Sequence, residues 1–323
     1  MPSPTAAEPA KSAANPDLAG TTSLIVGSDG FLGRNLALYM DARGWSHADI
    51  GRAAGDLTDW PTVARLFEAA PKVDRIFHLV TRQRTGQVQF GIQGEMLAIN
   101  ARIHLNVLEA WRLYQPQAKL ISTGSSCAYP ELDEPIRESH YQTGRLHPSV
   151  RGYGLAKQVL AEGAQTYAEQ YGLSHLHCIL ATMYGPHDHL APDRSHFMGG
   201  MIERAAREKA GGATSFTVWG APDTVRELLY VEDQIEAILA ADAAFANELL
   251  NCAAGMPITI DEAARAILEA LDWPAEIVYP PDSFRGASRK VMDSSRFLER
   301  TGWTPRVGLV EGVRATLAAP CRT

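Results

Sequence analysis

Residues 23–33 read SLIVGSDGFLG. The apolar run Leu24, Ile25, Val26 enters a segment in which Gly27, Gly30 and Gly33 stand at a GxxGxxG spacing, with Phe31 and Leu32 between the last two. Glycine lets the backbone turn tightly and come close to a bulky anion, and the first N–H groups of a following helix face that anion without intrahelical partners. The stretch predicts a strand, a turn and a helix from about Phe31, with a pyrophosphate cradle between them. Turns and close helix packing use glycine triplets too, so the weight of this one depends on what surrounds it.

Outward from the loop, short apolar runs alternate with longer helical stretches. HADIG, RIFHLV, AKLISTG and HLHCILAT read as strands; helices are expected after Asp59, over 94–114, near Tyr153 and near His196. Parallel strands need crossover connections, and helices supply them. The fold class expected is α/β, a Rossmann-type doubly wound parallel sheet with a smaller C-terminal substrate lobe and ligands at the strand carboxyl ends. The boundaries expected are a flexible tail over 1–20, a dinucleotide-binding domain over 21–185 to which 228–254 return, and a nucleotide-sugar lobe from 186–227 and 255–323.

Composition narrows the function. The 323 residues are 46% hydrophobic with a net charge of −7 and no block of Lys or Arg, which argues against nucleic acid or an anionic membrane as a partner. The four cysteines lie far apart without a CxxC, so neither a zinc knuckle nor a disulfide framework is expected. No apolar run reaches membrane-spanning length, and a cytoplasmic location is expected.

An acidic residue about 20 positions past the glycines would bind a ribose hydroxyl, whereas an arginine there suits a 2′-phosphate. In SHADIGRAAGDLTD, Arg52 stands at the expected end of the second strand, Asp49 falls inside it and Asp56 belongs to a later turn. NADP(H) is therefore favoured and NAD(H) is the alternative.

Further along, RGYGLAK places Tyr153 and Lys157 four residues apart, on one face of a helix. An ammonium near a phenol favours the phenolate, so the tyrosine is expected to have a lowered pKa and to pass a proton. The pair follows STGSS, with Ser125, by a short interval. With GxxGxxG and RELLYVED (226–233), these residues resemble the extended short-chain dehydrogenase/reductase family over roughly residues 22 to 305. The resemblance implies hydride chemistry at a sugar carbon. It implies a cofactor site of Gly27, Gly30, Phe31, Leu32, Gly33, Arg52, Asp56, Leu57, Leu79 and Asn100 together with Tyr153 and Lys157.

The segment GSSCAYP carries a lone thiol, Cys127, and in this it resembles the GDP-L-fucose synthases of that family. There the equivalent thiol moves protons while C3 and C5 of a GDP-4-keto-6-deoxy sugar are epimerised, before C4 is reduced. Carbons flanking a ketone are acidified, so a sulfur on one face can deprotonate them and Ser125 and Tyr153 can stabilise the enolate oxygen. Read without the resemblance, Cys127 is equally a small buried packing residue. The resemblance also implies His196 as the acid on the opposite face; His187 and His189 raise a rival metal site with Asp188, Asp193 or His196, and no metal is expected. His175 and His177 alternate on one strand and are expected to be structural.

By the same resemblance, Ser126, Thr182, Arg204, Trp219, Arg226 and Lys290 are expected at the nucleotide sugar. Guanidinium forks suit a pyrophosphate and an aromatic face suits a base. Two departures stand out: ATMYGP puts Thr182 where the family has Asn, and HLVTRQRTG replaces an alanine-rich stretch. A GDP-heptose or another deoxysugar, or a reductase or epimerase acting alone, are thus alternatives. So is a non-catalytic dinucleotide-binding sensor. The family further implies a homodimer through the 94–114 helix and the helix after Tyr153.

Overall fold

The computed structural model describes residues 17–84, 88–188, 196–281 and 288–319. In chain order the elements are β1 (Thr22–Val26), α1 (Phe31–Asp41), β2 (Ser46–Ile50), α2 (Trp60–Ala69), β3 (Arg75–His78), α3 (Val88–Gly91), α4 (Gln93–Tyr114), β4 (Lys119–Ser125), α5 (Arg151–Tyr171) and β5 (His175–Leu180). There follow β6 (Thr182–Tyr184), α6 (Phe197–Ala210), β7 (Ser215–Thr217), β8 (Val225–Tyr230), α7 (Val231–Ala244), β9 (Leu249–Cys252), β10 (Pro257–Thr259), α8 (Ile260–Ala270), β11 (Glu276–Val278), α9 (Ser295–Thr301) and α10 (Leu309–Ala318).

Six of the strands form one sheet in the order β2-β1-β3-β4-β5-β9, and all of its pairings are parallel. Side chains alternate across it, as strand geometry requires. Ile25, Phe77 and Ile121 join the core under α1 and α7, whereas Leu24, Val26, Ile76 and Leu120 join the core under α2, α4 and α5. Burial on both faces is what makes these strands read as continuous apolar runs. The chain steps outward from β1 to β2 and then back across β1 to β3, so a crevice opens where the order reverses. The glycine loop lies there.

Helix starts follow local chemistry. Asp59 caps α2 by accepting the Thr62 N–H at 3.0 Å, and Thr259 with Glu262 forms a capping box on α8. Leu18 is buried in the first core; residues 1–16 of the expected tail lie outside the described residues. Cys127, Cys178 and Cys252 are free thiols, and among the described residues no helix is long and apolar enough to cross a membrane.

The second lobe has its own core, in which Met198, Ile202, Phe216, Ile267 and Trp273 meet. It carries a three-stranded sheet, β10-β8-β6, whose two outer strands are too short to show as a periodic pattern. Asn251 ties β9 to the chain around Ile136 and Asp293. Fully buried on β9, its amide donates to the carbonyls of Ile136 (2.8 Å) and Asp293 (3.1 Å) and accepts from the Tyr129 hydroxyl at 2.7 Å. Asn251→Ala removes all three bonds, leaving the Ile136 carbonyl only its bond from the Asp293 N–H, and the expected loss is roughly 2–4 kcal/mol, read as a lower urea midpoint at unchanged slope.

Candidate active site

A cavity of about 1430 Å³ opens at the carboxyl ends of the strands and is lined from both lobes. Its floor is the glycine loop. Gly27 has φ +102°, outside the range of ordinary side chains, and a Cβ on Gly33 would sit 2.1 Å from the Gly27 carbonyl oxygen. Helix α1 therefore starts directly on the turn, its first N–H groups aimed into the cavity. This is a cradle that a dinucleotide pyrophosphate fits.

Gly30, Phe31, Leu32, Leu57 and Leu79 line the same end. Arg52 opens a single 3-10 turn, Arg52–Ala54, immediately after β2. Asp56 also borders the cavity, but its carboxylate accepts the Thr58 N–H and hydroxyl, both at 2.9 Å, and these bonds hold it below the usual carboxylate range. Asn100 differs from expectation. It does not line the cavity: its amide donates to the carbonyls of Met96 and Arg82 and accepts from the Arg82 N–H and the Thr81 hydroxyl. All its hydrogen-bonding capacity goes into shaping the chain after β3. Two residues that sequence reasoning passed over do face the cavity, Asp29 in the glycine loop and Thr81.

Ser125 ends β4, and the first turns of α5 carry Tyr153 and Lys157 against it. The Lys157 ammonium is buried and donates to the Thr123 carbonyl at 2.7 Å. Burial pushes it down to about 7. The Tyr153 hydroxyl shares hydrogen bonds with Ser125 and Thr81. The expected lowering of this phenol is not found: burial, then the charge of Cys127, push it up, and the bonds from Ser125 and Thr81 offset only part of this. Lys157 lies 5.9 Å from the ring centroid, too far to outweigh enclosure in apolar surroundings. A phenol so placed keeps its proton and can donate it.

Cys127 sits half-buried in the turn after β4, its N–H on the Ser125 Oγ at 3.2 Å. Its sulfur faces the Lys290 ammonium at 3.5 Å and lines the cavity with Tyr153 and Ser126. The two are 163 positions apart, and β8 brings them together: Lys290 N–H donates to the Val225 carbonyl at 3.1 Å, and Val225 N–H to that of Ser288 at 2.9 Å. The buried Glu227 clamps this strand, accepting the N–H groups of Met292 and Gly255, and burial pushes its carboxyl up to about 7. Arg226 beside it is buried enough for its guanidinium to be lowered, against which the charge of Cys127 acts.

His196 precedes α6, packs its ring against Phe31 at 5.3 Å between centroids, and binds the buried Asp188 through Nδ1 at 2.7 Å. A carboxylate on one ring nitrogen fixes the tautomer and orientation of the other. His189 and Asp193 of the rival metal site lie outside the described residues, among which no group of three or more His, Cys, Asp or Glu is arranged to hold a metal. His177 bonds Ser122 at 2.7 Å and His175 bonds Gln165 at 2.9 Å, both inside the protein. Thr182, Arg204 and Trp219 line the cavity too, and the Arg204 guanidinium lies 4.0 Å over the ring of Trp219, which is 61% exposed.

The NAD dependent epimerase/dehydratase family model matches residues 23–253. The chain is 28% identical to GDP-L-fucose synthase 1 of Arabidopsis thaliana over 298 residues, 90% of each protein. In structure it resembles a GDP-6-OMe-4-keto-L-xylo-heptose reductase from C. jejuni (TM-score 0.82, 20% identity, 92% of this chain and 96% of that one). It also resembles a GDP-L-fucose synthetase from Naegleria fowleri bound to NADP (TM-score 0.82, 19% identity, 95% and 94%). With a phosphate cradle after the first strand, a serine, tyrosine and lysine at the strand ends, and a family match over most of its length, this chain belongs to the NAD dependent epimerase/dehydratase family, enzymes of the extended short-chain dehydrogenase/reductase type.

Proposed function

We propose that the protein is an NADP(H)-dependent epimerase and reductase of a GDP-4-keto-6-deoxy sugar, able to accept NAD(H). The observation that carries this reading is the sulfur of Cys127 facing Lys290 at 3.5 Å in the same cavity as Tyr153 and Ser125. A packing cysteine needs no cation beside it; a thiol that removes a proton gains from one. The glycine cradle fits a pyrophosphate and Arg52 suits a 2′-phosphate. When bound, the reduced nicotinamide supplies a hydride.

The remaining chemistry falls to the chain's own side chains. Cys127 takes the proton from the carbon next to the C4 ketone, and the electron pair moves onto O4. The hydroxyls of Tyr153 and Ser125 hold that oxygen. His196, oriented by Asp188, returns a proton on the other face, which inverts the carbon. In the reductive step Tyr153 would give its proton to O4 as C4 is reduced. Lys157 offsets the charge left on the phenol. Arg204, Arg226 and Trp219 are suited to the diphosphate and base of the GDP moiety.

Incubated in D₂O with a GDP-4-keto-6-deoxy sugar, the wild type is expected to incorporate deuterium at C3 or C5. Cys127→Ala slows this exchange about 10²- to 10⁴-fold while NADPH oxidation persists, the range set by loss of a general base. Absence of exchange in the wild type would leave only the reductase.

Lys157 supplies the pH dependence. Its ammonium is the working form and is present below its pKa, which burial sets at about 7 in the free protein. Activity is thus lost as pH rises: kcat/KM for NADPH is expected to fall about tenfold per unit above pH 7. In Lys157→Met the limb disappears, with a general drop of about 100-fold.

We also propose a homodimer formed through α4 and α5, because Leu105, Leu113 and Leu155 on these helices stay exposed. Light scattering should give twice the chain mass, and a monomer mass refutes it.

A further inference from the structure

The end of β2 is where a dinucleotide-binding fold reads the adenosine ribose, and in this chain β2 ends on Ile50 and is followed by Gly51 and Arg52, with no acid at its tip. The acid comes from elsewhere. The carboxylate of Asp29, in the middle of the glycine loop, accepts the Arg52 N–H. It lies so close over Gly51 that a Cβ there would meet Asp29 Oδ2 at 2.6 Å. Any larger residue at 51 would push the carboxylate away, so the side chain of Asp29 fills the volume that an acid on β2 would otherwise occupy. Asp29, Arg52 and Asp56 border the same end of the cavity, and Asp56 is committed to Thr58.

We propose that Asp29 is the ribose-recognising carboxylate of this protein and sets its discrimination between the two dinucleotides. This rests on the dinucleotide reading given above. The two oxygens of a carboxylate offer about four acceptor sites, so bonds to protein groups such as the Arg52 N–H are compatible with accepting a ribose hydroxyl as well. A free 2′-hydroxyl donates to it. A 2′-phosphate cannot donate and brings a second negative charge next to it, which the Arg52 guanidinium is suited to offset. Arg52 therefore draws NADP(H) and Asp29 draws NAD(H), and the pair narrows the preference that Arg52 alone would give.

The test is binding, without turnover. NADPH and NADH are titrated separately into the wild type, Asp29→Asn and Arg52→Ala, and the ratio of the two dissociation constants is read for each. In Asp29→Asn, which is close in shape and carries no charge, NADH affinity is expected to fall about tenfold, the size of one charge-assisted hydrogen bond, while NADPH affinity holds or rises. Arg52→Ala is expected to move the ratio the opposite way by a similar factor. An unchanged ratio in Asp29→Asn, including an equal loss of both cofactors, overturns the proposal and leaves Asp29 a support for the loop. A wild type that binds neither dinucleotide overturns the cofactor reading itself, so the two failures are told apart.

Discussion

The hydrogen bond from Lys157 to the Thr123 carbonyl fixes the distance between α5 and β4, and the candidate site is built on that distance. The helix comes this near because the residues flanking Tyr153 have no side chains. A Cβ on Gly152 would meet the Gln93 carbonyl oxygen at 2.0 Å, and one on Gly154 would meet that of Cys127 at 2.5 Å. Ser125, Cys127, Tyr153 and Lys157 thus belong to one rigid body, with loop freedom removed before any ligand arrives. The same enclosure shapes the ionisation. It removes water from the ammonium and the phenol, which pushes Lys157 down and Tyr153 up.

Opposite this body, the second lobe supplies positive charge. The protein carries −7 overall, yet Arg204, Arg226 and Lys290 converge on the cavity. Charge of one sign held in a low-dielectric cleft acts more strongly than the same charge spread over a surface. Keeping such groups out of water requires a scaffold that tolerates their burial. Glu227 contributes by fixing backbone, not by pairing with a cation: it ties the strand bearing Lys290 to β8, which also bears Arg226.

The sheet was legible because its central strands, buried on both faces, wrote themselves as apolar runs closed by glycine or a polar residue, while the edge strand β2 is only partly buried and was marked by its place in the alternation. SLIVG, HADIG and AKLISTG lie on or within two residues of β1, β2 and β4. Helices α1 and α2 start where Phe31 and the Asp59 cap predict. The β6, β8 and β10 sheet was not legible, since β6 and β10 have three residues each, too few to show a period, and the pairing joins distant parts of the chain. Site residues divide the same way. Those in compact motifs were visible; Thr81 and the role of Glu227 emerge only when β3, β8 and the segment around Met292 are brought together. Asn100 misled because a buried amide serves a loop as well as it serves a ligand. The phenol misled because spacing along a helix reports which face two groups share, and says nothing of the desolvation that outweighs their attraction.

The desolvation of the phenol bears on how one cavity would serve the two proposed steps. Since the charge of Cys127 opposes ionisation of Tyr153, the pocket resists holding a thiolate and a phenolate together. While the sulfur is charged the phenol stays protonated, and a protonated phenol is the hydrogen-bond donor an enolate oxygen needs. When the thiol recovers its proton, that opposition is gone, and the phenol can release its own proton to the alkoxide of the reductive step. Lys290 beside the sulfur and Lys157 below the phenol each face one of these alternating charges. In the proposed reaction the order of events is thereby written into the electrostatics of the pocket: epimerisation runs over a neutral tyrosine, and reduction runs over a neutral cysteine.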